Sequence, residues 1–332
     1  MPENNVHFLA GSLSGFMVRA LTQPFDVIKI RFQLQVEPIK PTSLSYYSSF
    51  TQALSRIVKE EGFTGLWKGH VPGQLLSMCF CGFEFAVFYA LTALSENHSL
   101  SLTSPVGREL AFGAAAGTIA AAFSQPLDVM RTRLAAQGRN KVYSGLLKGT
   151  SCLIREEGVL ALWRGLGPSC ILVAPQTAVT FAMYEYLRRV YVTHLSLNRS
   201  PDNPNSNELP RIVSLLSGSI SGLAAKTTVY PLDLIKKRLA IRGFEEARKS
   251  FGTLPKHYTS ASYKLSSSVR RADRVDTQLY ATWACFRGIV AHEGIVGLFK
   301  GWTPSAMKAM LSTGLTFFFY EQFCHVFRHI LG

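Results

Sequence analysis

The chain has 332 residues, 47% of them hydrophobic and only 17% charged, below the roughly 25% charged of a soluble domain. Lys and Arg number 35 against 21 Asp and Glu, a formal charge of +14. This much apolar material excludes a disordered chain, and 6 cysteines in such a length exclude a disulfide scaffold.

The N-terminal stretch MPENNVHFLAGSLSG has no basic region ahead of an apolar core. No secretory signal is therefore expected, and any organelle address must be internal. Long apolar segments then predict helices over 6–36, 70–95, 106–136, 166–193, 209–240 and 303–330, with linkers at 97–105 and 196–209. A membrane-spanning helix needs about 20 largely apolar residues. Leu110–Leu127 and Gly165–Tyr184 come close to or meet that length without a charge, whereas Arg19, Glu84, Lys226 and Lys308 interrupt the other segments. The pattern fits a soluble helical protein, or a membrane bundle around a wet cavity where intramembrane charges belong.

An internal repeat decides between them. Pro24-Phe-Asp26-Val-Ile-Lys29-Ile-Arg31 recurs as Pro126-Leu-Asp128-Val-Met-Arg131-Thr-Arg133 and Pro231-Leu-Asp233-Leu-Ile-Lys236-Lys-Arg238, the prolines 102 and 105 residues apart. Glycines stand 13 and 9 residues upstream of each proline: Gly11 and Gly15, Gly113 and Gly117, Gly218 and Gly222. An acidic-Gly pair follows in each repeat, then an aromatic-basic-Gly triplet: Trp67-Lys68-Gly69, Trp163-Arg164-Gly165 and Phe299-Lys300-Gly301. The repeats run over 5–98, 106–197 and 209–330, the third with a polar insertion near 253–276. The expected fold is a single all-α membrane domain over 1–332, with six transmembrane helices in three pseudo-symmetric repeats around a central cavity.

Each element has a physical reason. Gly-x-x-x-Gly lets helices approach closely in lipid, and a proline at one position of every repeat reads as a deliberate kink. The charges Asp26/Lys29, Asp128/Arg131 and Asp233/Lys236 are three apart, on one helix face. They could pair within each helix. Around a threefold axis they close a ring instead: Asp26 with Arg131, Asp128 with Lys236, Asp233 with Lys29, one pair braced by Gln33. The ring is favoured, because six charges at a membrane boundary need partners.

On these two motifs the chain resembles the mitochondrial carrier family over essentially its whole length. The resemblance implies residence in the mitochondrial inner membrane, a monomer, and a central site open alternately to either side, with the charged ring as the matrix gate. It also implies that cardiolipin binds at Trp67–Gly69, Trp163–Gly165 and Phe299–Gly301, where helix N-termini attract phosphate. A second, cytoplasmic gate is expected to be incomplete. Tyr184-Glu185 is followed by Arg188, but Tyr320-Glu321 has no base after it, and the first repeat offers no charges.

The family's substrate contacts lie seven residues after the triplet glycine, at Leu76, Leu172 and Lys308. Arg19 and Lys226 lie five residues before Pro24 and Pro231, where the second repeat has Ala121. Three unpaired bases in a cavity predict a polyanion, and Glu84 predicts a cationic or protonated group beside it. A diphosphate joined to a cationic heterocycle fits both. Segments such as Pro24 to Gln35 and Thr227 to Arg248 are most similar to family members that carry thiamine pyrophosphate, which implies that cargo and exchange against nucleotides. Gln74, Gln125 and Gln176 are candidates for contacts to the organic rings. A nucleotide or coenzyme A would be an alternative cargo. A basic helical nucleic-acid binder is the remote rival, with its bases on a polar surface rather than inside glycine-rich apolar spans. No catalytic grouping, metal cluster or phosphate-binding loop is visible, so neither an enzyme nor a bound cofactor is expected.

Overall fold

The computed structural model describes residues 3–36, 39, 45–97, 105–139, 141–195, 211–244 and 275–331. The predicted linkers and the insertion near 253–276 lie almost wholly outside them. Six long helices follow the expected spans: α1 (Glu3–Leu34), α3 (His70–Asn97), α4 (Pro105–Ala136), α6 (Leu166–Val190), α7 (Arg211–Ala240) and α9 (Trp302–Leu331). Three short helices alternate with them: α2 (Phe50–Glu61), α5 (Leu146–Glu157) and α8 (Val275–Glu293). Each short helix ends at the glycine of the acidic-Gly pair, Gly62, Gly158 or Gly294, and continues as one 3-10 turn up to the triplet aromatic. Those glycines have φ of +79°, +86° and +71°, a region that residues with a Cβ avoid.

The exposure pattern is that of a bundle in lipid around a polar interior. Phe16, Phe85, Tyr89, Phe123, Phe181, Met310 and Phe318 are exposed on the long helices, while Arg31 and Arg133 head the largest fully buried side chains. Three stretches, Phe63–Ser95, Gly107–Ala136 and Val159–Thr193, are long and apolar enough to cross a membrane. Neighbouring long helices pack as α3 on α4, α6 on α7, and α9 back on α1, which closes the bundle. The apolar clusters sit at the short-helix end. Ile57 of α2 lies among Val27, Phe32 and Ala135, and Leu153 of α5 among Met130, Leu134 and Ala240. Full burial of one such side chain contributes about 1.5–3 kcal/mol.

The Gly-x-x-x-Gly expectation needs correction. A Cβ on Gly11, Gly15, Gly113, Gly218 or Gly222 would meet nothing within 4 Å; only at Gly117 would it meet a neighbour, Val173 Cγ1 at 2.8 Å. The spacing places the glycines on one face, but the adjacent helices stand off from that face at five of the six positions.

Candidate functional site

Pro24, Pro126 and Pro231 lie inside continuous helices. A proline has no N–H, so the carbonyl four residues earlier loses its partner. Those residues are Ala20, Ala122 and Thr227. The Trp67 indole donates to Ala20 O at 2.9 Å and the Trp163 indole to Ala122 O at 3.0 Å. Phe299 has no N–H to offer. In the third repeat Trp302 donates at 3.0 Å, and its acceptor is the Thr227 hydroxyl. Gln23, Gln125 and Tyr230, each just before the proline, donate to the carbonyls of Lys68, Arg164 and Lys300. Gln125 thus supports the backbone and is not a ring contact, and Gln74 donates to Phe16 O on the exposed face.

Past the prolines α1, α4 and α7 converge, and their charges pair between repeats. Arg131 reaches Asp26 at 2.5 Å, Lys236 reaches Asp128 at 2.8 Å, and Lys29 reaches Asp233 at 2.6 Å. Gln33 donates to Asp233 at 3.1 Å. Two further bases join that the sequence reading did not place in the ring. Lys237 donates to Asp128 at 2.6 Å and to Thr132 at 3.2 Å. Lys308 donates to both Asp26 oxygens, at 2.8 and 2.7 Å. The third repeat reads Lys-Lys-Arg where the others have Ile or Thr in the middle, which was the available signal for Lys237.

A cavity of about 380 Å³ lies on this ring. Its lining includes seven bases (Arg19, Lys29, Arg131, Lys226, Lys236, Lys237 and Lys308) and three acids (Asp26, Asp128 and Asp233), beside Leu76, Ser77, Phe80, Cys81, Ala121 and Ser124. Of the expected contacts, Leu76 faces it and Leu172 does not. The three bases are not equivalent either. Lys308 is paired, Arg19 donates to the Ser77 hydroxyl, and among the described residues neither Arg19 nor Lys226 forms an ion pair. Glu84 also pairs with no base there. It lies one turn beyond Phe80, with a carboxylate oxygen 3.6 Å from where a Gly117 Cβ would be.

The triplet bases were expected at a lipid headgroup, and the structure turns them inward. Lys68 reaches Glu61 at 2.6 Å, beside Arg31 at 2.5 Å. Arg164 and Arg133 share Glu157, and Lys300 and Arg238 share Glu293. Each triplet base also donates across a repeat boundary: Lys68 to Gly138 O, Arg164 to Arg242 O, and Lys300 to Val36 O. Burial alone would raise the Glu61 and Glu157 carboxyls. The hydrogen bonds and charges of Arg31 with Lys68, and of Arg133 with Arg164, outweigh it and hold both below the ordinary carboxylate range. Gly69, Gly165 and Gly301, with φ of +76°, +82° and +81°, lie against the backbone carbonyls of Arg131, Lys236 and Lys29.

At the opposite end the expected gate residues make no inter-repeat ion pair among the described residues. Glu185, half-buried, pairs along its own helix with the exposed Arg188 at 3.6 Å and Arg189 at 3.2 Å. Tyr184 shares a hydrogen bond with Ser214 at 3.3 Å, and Tyr320 with His7 at 2.8 Å. Glu321 is exposed. The cavity is therefore locked at its short-helix end and unlocked at the other.

Comparison with known proteins places this architecture. The family model "Mitochondrial carrier protein" matches residues 3–99, 103–195 and 207–330. The "Mitochondrial thiamine pyrophosphate carrier" of Homo sapiens is 39% identical over 98% of this chain and 94% of its own length. That of Bos taurus is 39% identical over 97% and 92%. The "Mitochondrial thiamine pyrophosphate carrier 1" of Aspergillus oryzae is 32% identical over 97% and 93%. With three consecutive matches spanning nearly every residue, the chain belongs to the mitochondrial carrier family.

Proposed function

We propose that this protein is a monomeric alternating-access transporter, not an enzyme, that brings thiamine pyrophosphate across the mitochondrial inner membrane into the matrix in exchange for nucleotides. One observation carries the reading: seven bases against three acids line one cavity, an excess of four positive charges. Its volume lies in the small-molecule range of roughly 300–1,000 Å³. The Nε–H groups of Arg19 and Arg131 are buried without an acceptor, so donors stand ready for phosphate oxygens. Charge-assisted bonds of this kind are the strong ones. Arg19, Lys226 and Lys308 hold the diphosphate, Leu76 and Phe80 face the rings, and Glu84 meets the aminopyrimidine toward the open end. The names of the relatives support the cargo. The ring of Asp26, Asp128 and Asp233 with their bases is the matrix gate. Tyr184, Glu185 and Arg188, with Tyr320 and Glu321, form a weaker cytoplasmic one. Cardiolipin uses the backbone N–H groups at the starts of α3, α6 and α9, since the triplet bases are engaged elsewhere.

Uptake of labelled thiamine pyrophosphate into liposomes loaded with nucleotide tests this. Wild type is expected to exchange, and Arg19→Gln or Lys226→Ala to lose tenfold or more, about what one hydrogen bond to a charged group contributes. Uptake of nucleotide or coenzyme A with none of thiamine pyrophosphate would assign the site to another phosphorylated cofactor.

A further inference from the structure

One face of α3 runs along the cavity. Leu76, Ser77, Phe80 and Cys81 line it, and Glu84 lies on the same stripe, four residues past Phe80 and three past Cys81. α3 starts at the short-helix end, so this order runs from the locked end toward the unlocked one. At a rise of about 1.5 Å per residue, Phe80 stands roughly 5 Å and Glu84 roughly 10 Å beyond Ser77. Arg19 donates to the Ser77 hydroxyl, which sets the level at which a phosphate is held. Beyond it come two groups that attract positive charge, an aromatic face and a carboxylate. Phe80 is the one aromatic side chain in the cavity lining among the described residues, and it is half-buried. Nearby rings are engaged: Phe83 stacks on Phe123 at 4.9 Å, and Phe16 meets His70 edge-on at 6.3 Å. Among the described residues Phe80 has neither a ring nor a cation of the protein against it, although seven bases share its cavity. For a purely anionic cargo an aliphatic side chain would line this wall as well. The face of an aromatic ring is negative and adds affinity for a positive group.

We infer that Phe80 is a specificity-determining residue of the cavity: its face receives the positively charged ring of the cargo, and so selects a diphosphate joined to a cationic heterocycle over one joined to a neutral group. The inference rests on the transport reading above and names what discriminates within it. Thiamine pyrophosphate carries its groups in the order diphosphate, ethyl link, cationic thiazolium, aminopyrimidine. Laid along Ser77, Phe80 and Glu84, that order brings the thiazolium to the Phe80 ring and the aminopyrimidine to the Glu84 carboxylate. A nucleotide with its phosphates at the same level brings an uncharged sugar to Phe80 and gains nothing there.

The test compares thiamine pyrophosphate with its analogue in which a neutral thiophene replaces the thiazolium, two molecules of one shape that differ by one charge. Half-saturation of uptake is measured for both with the full-length protein in liposomes. Wild type is expected to half-saturate at a concentration about fivefold or more lower with thiamine pyrophosphate, the factor for one cation–π contact. Phe80→Leu should lose that preference by weakening thiamine pyrophosphate alone, and Phe80→Tyr should keep it. Glu84→Gln should weaken both compounds alike, since both carry the aminopyrimidine. Inhibition by inorganic pyrophosphate, which has no ring, should be the same in Phe80→Leu as in wild type, which reports a folded variant with its bases in place. A Phe80→Leu protein that keeps the preference, that weakens both compounds equally, or that loses inhibition by pyrophosphate overturns the inference. Wild type that takes up the two compounds equally well also overturns it and leaves the cargo reading intact. Wild type that takes up nucleotide and neither thiamine compound removes the cargo reading and the inference with it.

Discussion

Asp128 is held by two lysines and Asp233 by one lysine and an uncharged amide. This difference decides where a charge swap is informative. A swap at Asp128 with Lys236 leaves Lys237 facing the new cation, so the repulsion survives. Among the described residues the Lys29–Asp233 pair has no such second base within bonding distance, and its side chains are 14% and 22% exposed. At an effective dielectric near 20 a pair at 4 Å is worth about 4 kcal/mol, and in full solvent about 0–1. Lys29→Asp and Asp233→Lys alone are expected to cut exchange at least tenfold, and the double swap to restore part of it. Equal failure of the double swap, measured in the same liposomes, would show that the pair does not gate transport. Register along a helix told which residues face the axis, but not how far a long side chain reaches. Hence the three pairs were legible from spacing and threefold symmetry, while Lys308 was expected to be free and proved to be tied to Asp26.

Each element that carries the ring is pressed against the start of the preceding long helix around the bundle through a glycine. An added Cβ would lie 2.8 Å from Arg131 O at Gly69, 3.0 Å from Lys236 O at Gly165, and 3.0 Å from Lys29 O at Gly301. A left-handed non-glycine residue costs about 1–3 kcal/mol before any clash. Gly69→Ala, Gly165→Ala and Gly301→Ala should each lower the melting temperature by several degrees, roughly 2–4 °C per kcal/mol for a domain of this order. Gly15→Ala, with open space around it, serves as the control. A Gly69→Ala protein that melts with wild type would mean the backbones do not meet there. The helix bounds were legible to within a few residues because apolar length and the repeated motifs fix them. The direction of Lys68, Arg164 and Lys300 was not. A base after an aromatic at a helix start suits a lipid phosphate as well as a buried glutamate, and the partner glutamates are local while the receiving carbonyls belong to another repeat.

At the scale of the whole molecule, the architecture was readable because one pattern recurs three times, and its asymmetries were readable from where the pattern breaks. Ala121 in place of a base leaves the second repeat with Arg131 as its one base on the cavity, while α1, α7 and α9 supply the other six. Phe299 in place of tryptophan leaves the indole role to Trp302.

The boundary contacts have an order: Lys68 to Gly138 O, Arg164 to Arg242 O, and Lys300 back to Val36 O. The last of these joins the end of the polypeptide to its beginning, as does the His7–Tyr320 hydrogen bond at the other end of the same two helices. Covalent order therefore adds little that the folded contacts do not already supply, and the closed circle of repeats has no intrinsic starting point. A circular permutant, opened between the first and second repeats and with the third repeat joined to the first by a flexible linker, should fold, melt close to wild type and exchange the same cargo, because those two repeats already touch at both ends of α1 and α9. A permutant that inserts but fails to melt cooperatively would show that order of synthesis, and not the finished circle of contacts, sets this fold.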